Sequence, residues 1–294
     1  MEVTSFYEPE SSTWTYLLAD TSSGKALIID PVWVYNPISG NTDTAFTDEI
    51  LGIANSRGYS IEWVLETHTH ADHLSSACYI GDKTGARIAI GKGICDVQKT
   101  FVKMYKLDDV PVDGSQFNRL LNDGDIVQLG NLEIRVMETP GHTSDSITYL
   151  CENAAFIGDT LFAPDFGTAR CDFPGGDAER LFDSITRIHA LPEETLLYLC
   201  HDYPADGATP VNIVTVAESL AGNIHAKAGT DRDEYIEMRN ARDAKLSLPE
   251  LIYPAIQINI RAGNAPLADT NGANYLKASF NAELALLLKN GSDE

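Results

Sequence analysis

At 294 residues with 44% hydrophobic residues, the chain lies at the upper end of what one hydrophobic core supports. Its net charge of −22 argues against nucleic acid or an anionic membrane surface as a partner. Five cysteines at no paired spacing do not form a disulfide framework. Residues 1–10 lack a basic stretch followed by an apolar one, and no apolar run nears the roughly 20 residues of a membrane span, so a reduced, cytoplasmic protein is expected.

In chain order, residues 13–19 and 25–30 read as strands joined by a hairpin loop at 20–24. Residues 44–57 read as a helix ended by Gly58, with Ile50, Ile53 and Ala54 on one face. A short buried strand at 61–65 follows, then a helix from Ala71 to near Gly81 and another over 94–105. Gly130 and Asn131 mark a hairpin turn before an alternating strand at 132–136. Apolar runs from Ala154 and from Thr195 end on Asp159 and His201. Between them, residues 177–190 form a helix with Asp177 as N-cap and Leu181, Ile185 and Ile188 on the buried face. Beyond Pro204 the chain is helix-rich, with 214–220 and 232–245 as candidates. The order predicts a single α+β domain over 1–294: two sheets covered by helices, a core sandwich to about 204, and a C-terminal helical extension packed on it.

The segment Thr67-His68-Thr69-His70-Ala71-Asp72-His73 places three imidazoles and a carboxylate within six residues, directly after a strand. An ordinary polar turn seldom has this composition. His142, Asp159 and His201 each follow another apolar strand, so five of the seven histidines and two aspartates sit at carboxyl ends of strands. Strand ends at one edge of a layered fold are neighbours, and convergent His and Asp donors make a metal site.

The motif His68-x-His70-x-Asp72-His73, followed in order by His142, Asp159 and His201, resembles the metallo-β-lactamase superfamily. Residues 139–143, 158–162, 169–173 and 201–203 are similar to its persulfide dioxygenase (sulfur dioxygenase) branch, and residues 256–263 to the bacterial, β-lactamase-like type of that branch. The resemblance implies a four-layer αββα sandwich. It also implies one Fe(II) per chain on His68, His142 and Asp159, with His70, Asp72, His73 and His201 orienting ligands or water around it. The implied reaction, part of sulfide detoxification, oxidises the sulfane sulfur of glutathione persulfide with O2 to sulfite and glutathione. A homodimer is also implied.

The same seven donors suit two zinc ions in a thioester hydrolase of the glyoxalase II kind, with His68, His70 and His142 on one, Asp72, His73 and His201 on the other, and Asp159 bridging. A non-catalytic sensor module is a third alternative. For an anionic substrate, the resemblance makes Arg170 the carboxylate anchor and puts Tyr203 beside the site; Arg170 could equally pair with Asp165 or Asp172 to hold a loop, and the two roles are compatible. His225 stands where animal-type relatives carry a second arginine, a role that Lys227 or Arg261 could take. Cys171 reads as a buried inert thiol, Asp202 as structural, and His189 as a partner of helix C-terminal carbonyls.

Overall fold

The computed structural model describes residues 1–205 and 207–279. The amino-terminal half contributes strands β1 (Glu2–Glu8), β2 (Thr13–Asp20), β3 (Lys25–Ile29), β4 (Val32–Tyr35) and β5 (Thr42–Asp43), then helix α1 (Ala45–Ser56). It continues with β6 (Ser60–Leu65), β7 (Leu74–Ser75), α2 (Ala77–Thr84), β8 (Arg87–Gly91), α3 (Ile94–Tyr105) and β9 (Arg119–Leu121). The second half contributes β10 (Ile126–Leu129), β11 (Leu132–Glu138), β12 (Ile147–Cys151) and β13 (Ala154–Phe156). After these come α4 (Ala178–His189), β14 (Leu196–Tyr198), β15 (Ile213–Thr215), α5 (Val216–Gly222), α6 (Arg232–Asp243) and α7 (Ile252–Asn259). The strands form two six-stranded sheets, ordered β1-β2-β3-β6-β8-β9 and β10-β11-β12-β13-β14-β15, and a small sheet ordered β5-β4-β7.

The period-two alternation of each strand sorts side chains into layers. Ala26 and Ile28 of β3 pack outward with Ile50 of α1, Ile80 of α2, Phe101 of α3 and Ile256 of α7. Leu27 and Ile29 point the other way and meet Val127, Ile134 and Tyr149 of the second sheet. The outer face of that sheet, Ala155 and Leu197, is covered by Leu181 and Ile185 of α4, Val216 of α5 and Tyr235 of α6. This is the expected αββα sandwich.

The strands at 13–19, 25–30, 61–65 and 132–136, and the helices at 44–57, 94–105 and 177–190, fall within a residue or two of their expected positions. Asp177 caps α4 as expected, accepting from the backbone N–H of Glu179 and Arg180. Two expectations are corrected. No helix starts at Ala71: residues 71–73 are irregular, β7 pairs antiparallel with β4, and α2 begins at Ala77. The carbonyls of His70 and His73 are taken by the Asn259 side chain, at 2.8 and 2.9 Å, and so are lost to a helical ladder. The helix expected at 214–220 opens as strand β15, antiparallel to β14, and α5 begins only at Val216, where Thr215 and Glu218 form a capping box. The second sheet therefore extends past residue 204. Residues 280–294 of the expected extension lie outside the described residues.

Candidate metal centre

The donors are delivered from both sheets to one edge. The loop after β6 carries His68, His70, Asp72 and His73; loops after β11, β13 and β14 carry His142, Asp159 and His201. The two sheets are tied here by a bridge between Thr13 and His201, with the Trp14 N–H donating to the Cys200 carbonyl at 2.7 Å. Among the described residues four overlapping groups of donor atoms converge, each with all its atoms within 4.8 Å of one another: His68, His142 and Asp159 in the first, His70, Asp72, His73 and His201 in the second, and, around the buried Cys200, Asp30 with His70 and Asp159 with His201. His70 thus falls with the second group, not with His68 and His142 as a two-zinc division of the motif has it. Asp159 joins the groups, its Oδ2 lying 3.6 Å from His142 Nε2 and its Oδ1 3.3 Å from His201 Nε2.

Hydrogen bonds on the far side of the rings choose the tautomers. His142 Nδ1 donates to the Arg170 carbonyl at 2.6 Å, and His201 Nδ1 lies 3.2 Å from the Ser12 carbonyl. The Thr67 hydroxyl donates to Asp30, so its oxygen accepts from His68 Nδ1 at 3.0 Å. In the His142 and His68 rings Nε2 is left with its lone pair toward the other donors. His68 Nε2, His73 Nε2, His201 Nε2, Asp72 Oδ2 and Asp159 Oδ1 are buried and have no hydrogen-bond partner. Five such atoms facing one another would be costly in a finished site, and their donor chemistry fits a metal ion.

The electrostatics agree. Burial, reinforced by neighbouring imidazoles, pushes the pKa values of His68 and His70 well below the usual histidine value, so both stay neutral. Burial raises the carboxyl pKa values of Asp72 and Asp159, but the imidazoles around them, His201 foremost, outweigh it and hold both below the ordinary range. Burial lowers His201, yet Asp159 and Asp72 together leave its pKa raised. Neutral His68 and His70 beside ionised Asp72 and Asp159 are the protonation states that metal binding requires, whereas His201 is biased toward holding a proton.

A cavity of about 390 Å³ opens on Asp72, His142 and Asp159, walled by Phe162, Phe166, Phe173 and Tyr203, with Arg170, Arg239 and Arg242 on its lining. Its size is that of a small-molecule site. Tyr203 lies face to face with the His201 ring at 6.0 Å, beside the site as expected. Arg170, on the cavity lining, makes the contacts of a loop-holding residue: Nε and Nη2 donate to Asp172 at 2.7 and 2.8 Å, and Nη1 donates to the Ser247 carbonyl at 2.7 Å. Arg261 is buried against Asp109, and neither it nor Lys227 lines this cavity. The His225 ring accepts the Thr168 N–H at 3.0 Å, across Gly167, where φ is +88° and a Cβ would overlap the ring. Cys171 is buried, and burial with the adjacent Asp243 carboxylate pushes its thiol well above the usual range, which favours the unreactive protonated form. Asp202 is structural, accepting the Val211 N–H; His189 meets the Ser219 hydroxyl rather than helix carbonyls.

Sequence reasoning missed the supports of the histidine loop. Asp30, at a positive φ of 49°, accepts from the N–H and hydroxyl of Thr67, and Asp145 accepts from both groups of Thr69. Each stands alone in the sequence with no spacing to mark it. Asn259 lies within the stretch 256–263, where only the resemblance drew attention.

The profile of the metallo-beta-lactamase superfamily matches residues 9–201, and the chain belongs to that family. It is 46% identical to a probable metallo-hydrolase of Burkholderia pseudomallei, covering 96% of this chain and 100% of that one. With glyoxylase B2 of Dictyostelium discoideum it shares 44% identity, covering 94% and 96%. With the mitochondrial persulfide dioxygenase ETHE1 of Bos taurus it shares 28% identity over 87% of each chain. Its fold is similar to the crystal structure of ETHE1 from Myxococcus xanthus, with a TM-score of 0.72, 32% identity, and coverage of 90% of this chain and 100% of that one.

Proposed function

We propose that the chain is a mononuclear iron dioxygenase acting on glutathione persulfide. The observation that carries this reading is the convergence of His68, His142 and Asp159 as two imidazoles and one carboxylate, two of them lining the cavity. Two histidines and one carboxylate are the donor set of non-haem Fe(II) oxygenases, which leaves open positions for reactants. The likeness to the two ETHE1 proteins supports it. In the net reaction the sulfane sulfur is oxidised, O2 is reduced, and one water completes sulfite: GSSH + O2 + H2O gives GSH + H2SO3. Iron would supply the redox partner for O2, which zinc does not.

The chain's own groups do the rest. The Arg170 carbonyl and the Thr67 hydroxyl fix the faces that His142 and His68 present. Phe162, Phe166 and Phe173 exclude water from the sulfur's surroundings. His201, between Asp72 and Asp159, is the group placed to hold a proton at Nε2.

A second reading, a dinuclear zinc thioester hydrolase, is favoured by the completeness of the second donor group and by the names of the metallo-hydrolase and glyoxylase relatives. Metal analysis with an O2 electrode separates the two. About one iron per chain and O2 uptake with glutathione persulfide support the dioxygenase. Two zinc ions and hydrolysis of S-lactoylglutathione would replace it.

A further inference from the structure

Three arginines line the cavity, and two of them are occupied. Arg170 is bound by Asp172 and the Ser247 carbonyl. Arg239, fully buried, is bound by Asp243 and the Thr168 carbonyl. Arg242 stands one helical turn beyond Arg239 on α6, and among the described residues its exposed guanidinium has no hydrogen-bond or ion-pair partner. In a chain of net charge −22, a cation left unpaired at the lining of a cavity invites an anion from outside.

The surroundings give this cation a direction. On the other side of Asp72, Tyr203 and Pro249 lies a second cavity of about 400 Å³, whose lining carries Glu8, Glu10 and Glu250 and no lysine or arginine. The two approaches to the donor cluster thus differ in sign. An anionic ligand is disfavoured on the glutamate side and drawn to the arginine side. Apart from the metal donors, the Arg242 side is largely apolar: Phe162, Phe166, Leu246 and Pro249 leave few competing polar anchors.

We infer that Arg242 is the carboxylate anchor of this cavity, holding the acidic end of a thiol-bearing peptide while its sulfur lies toward His142 and Asp159. The guanidinium is a planar fork matched to a carboxylate, and an unpaired one loses no internal contact on binding. This deepens the proposed function and rests on its substrate class, a glutathione derivative, which the thioester reading shares.

The test is calorimetric titration of the purified, metal-containing protein with glutathione and with glutathione diethyl ester, in wild type, Arg242→Gln and Arg242→Lys. Arg242→Gln should weaken glutathione binding about tenfold, in the range of a charge-assisted contact open to solvent. Arg242→Lys should recover part of the loss, and the diester should bind all three alike. Melting temperature should be close to wild type, because among the described residues the Arg242 side chain makes no hydrogen bond or ion pair. Equal glutathione affinity in wild type and Arg242→Gln, no glutathione binding by wild type, or an equal loss for the diester would each overturn the inference. Arg242-dependent glutathione binding in a protein that consumes no O2 with glutathione persulfide would uphold the anchor and overturn the dioxygenase reading. The reverse pattern would uphold the dioxygenase and overturn the anchor.

Discussion

Asn259, on the last turn of α7, donates through Nδ2 to the carbonyl of His70, 189 residues earlier, at 2.8 Å. The same amide donates to the His73 carbonyl, and its Oδ1 accepts the Ser75 N–H at 2.8 Å. One buried side chain thus replaces the helical turn that the local sequence 71–81 suggests. Asn259→Ala strands three buried backbone groups and should cost about 2–4 kcal/mol, a fall of roughly 5–10 °C in Tm. Metal content should fall with it. Differential scanning calorimetry and metal analysis check both, and an unchanged Tm would show that the loop holds itself.

His142→Ala and Asp159→Ala each remove one of three donors and should abolish both bound iron and O2 consumption. His201→Ala should leave most of the iron bound and slow turnover. Equal metal loss in all three variants would instead favour two metals sharing the full donor set.

Arg170→Gln should act on stability and metal rather than on substrate affinity. Its guanidinium spans Asp172 and Ser247, while its carbonyl holds the His142 ring. Loosening that segment should lower Tm by a few degrees, with a KM close to wild type. A KM raised tenfold at unchanged Tm would return Arg170 to the role of anchor.

His225 gives a pH signature. Partial burial, with the Arg239 and Arg242 charges, lowers its pKa from 6.5 to about 4. The folded state keeps the ring neutral, as an acceptor for Thr168 N–H, at pH values where the unfolded chain has already bound a proton. The stability it contributes is therefore whole above pH 6.5 and is lost as pH falls from 6.5 through about 4. His225→Gln, which keeps an acceptor but does not titrate, should show a shallower fall in Tm across that window. Parallel Tm profiles for variant and wild type would contradict this.

The donor set was legible because its chemistry is local: three histidines in one heptapeptide, and one donor at the end of each of three later strands. The layers were legible from the order of strands and helices, but the sorting of Leu27 and Ile28 to opposite faces within the apolar run 26–29 shows only in the structure. What escaped reading depends on distant partners. Asn259 overrides the helical pattern after Ala71, and pairing with β14 draws Ile213–Thr215 into a sheet before α5 can begin. The resemblance singled out Arg170 and left Arg242 unmarked; the position of Asp172 and Ser247 shows which guanidinium is already engaged.

The donors come from both halves of the chain, His68 to His73 from the first sheet and His142, Asp159 and His201 from the second. Neither half owns a complete centre. A cation held between them would act as a rivet, and its binding free energy would be spent on keeping the two halves together, RT ln(1 + [M]/Kd) for an ion that ignores the unfolded chain. Chelation should then cost mechanical cohesion as well as activity. Separately expressed fragments cut in the linker before β10 should reassemble more readily when metal is present.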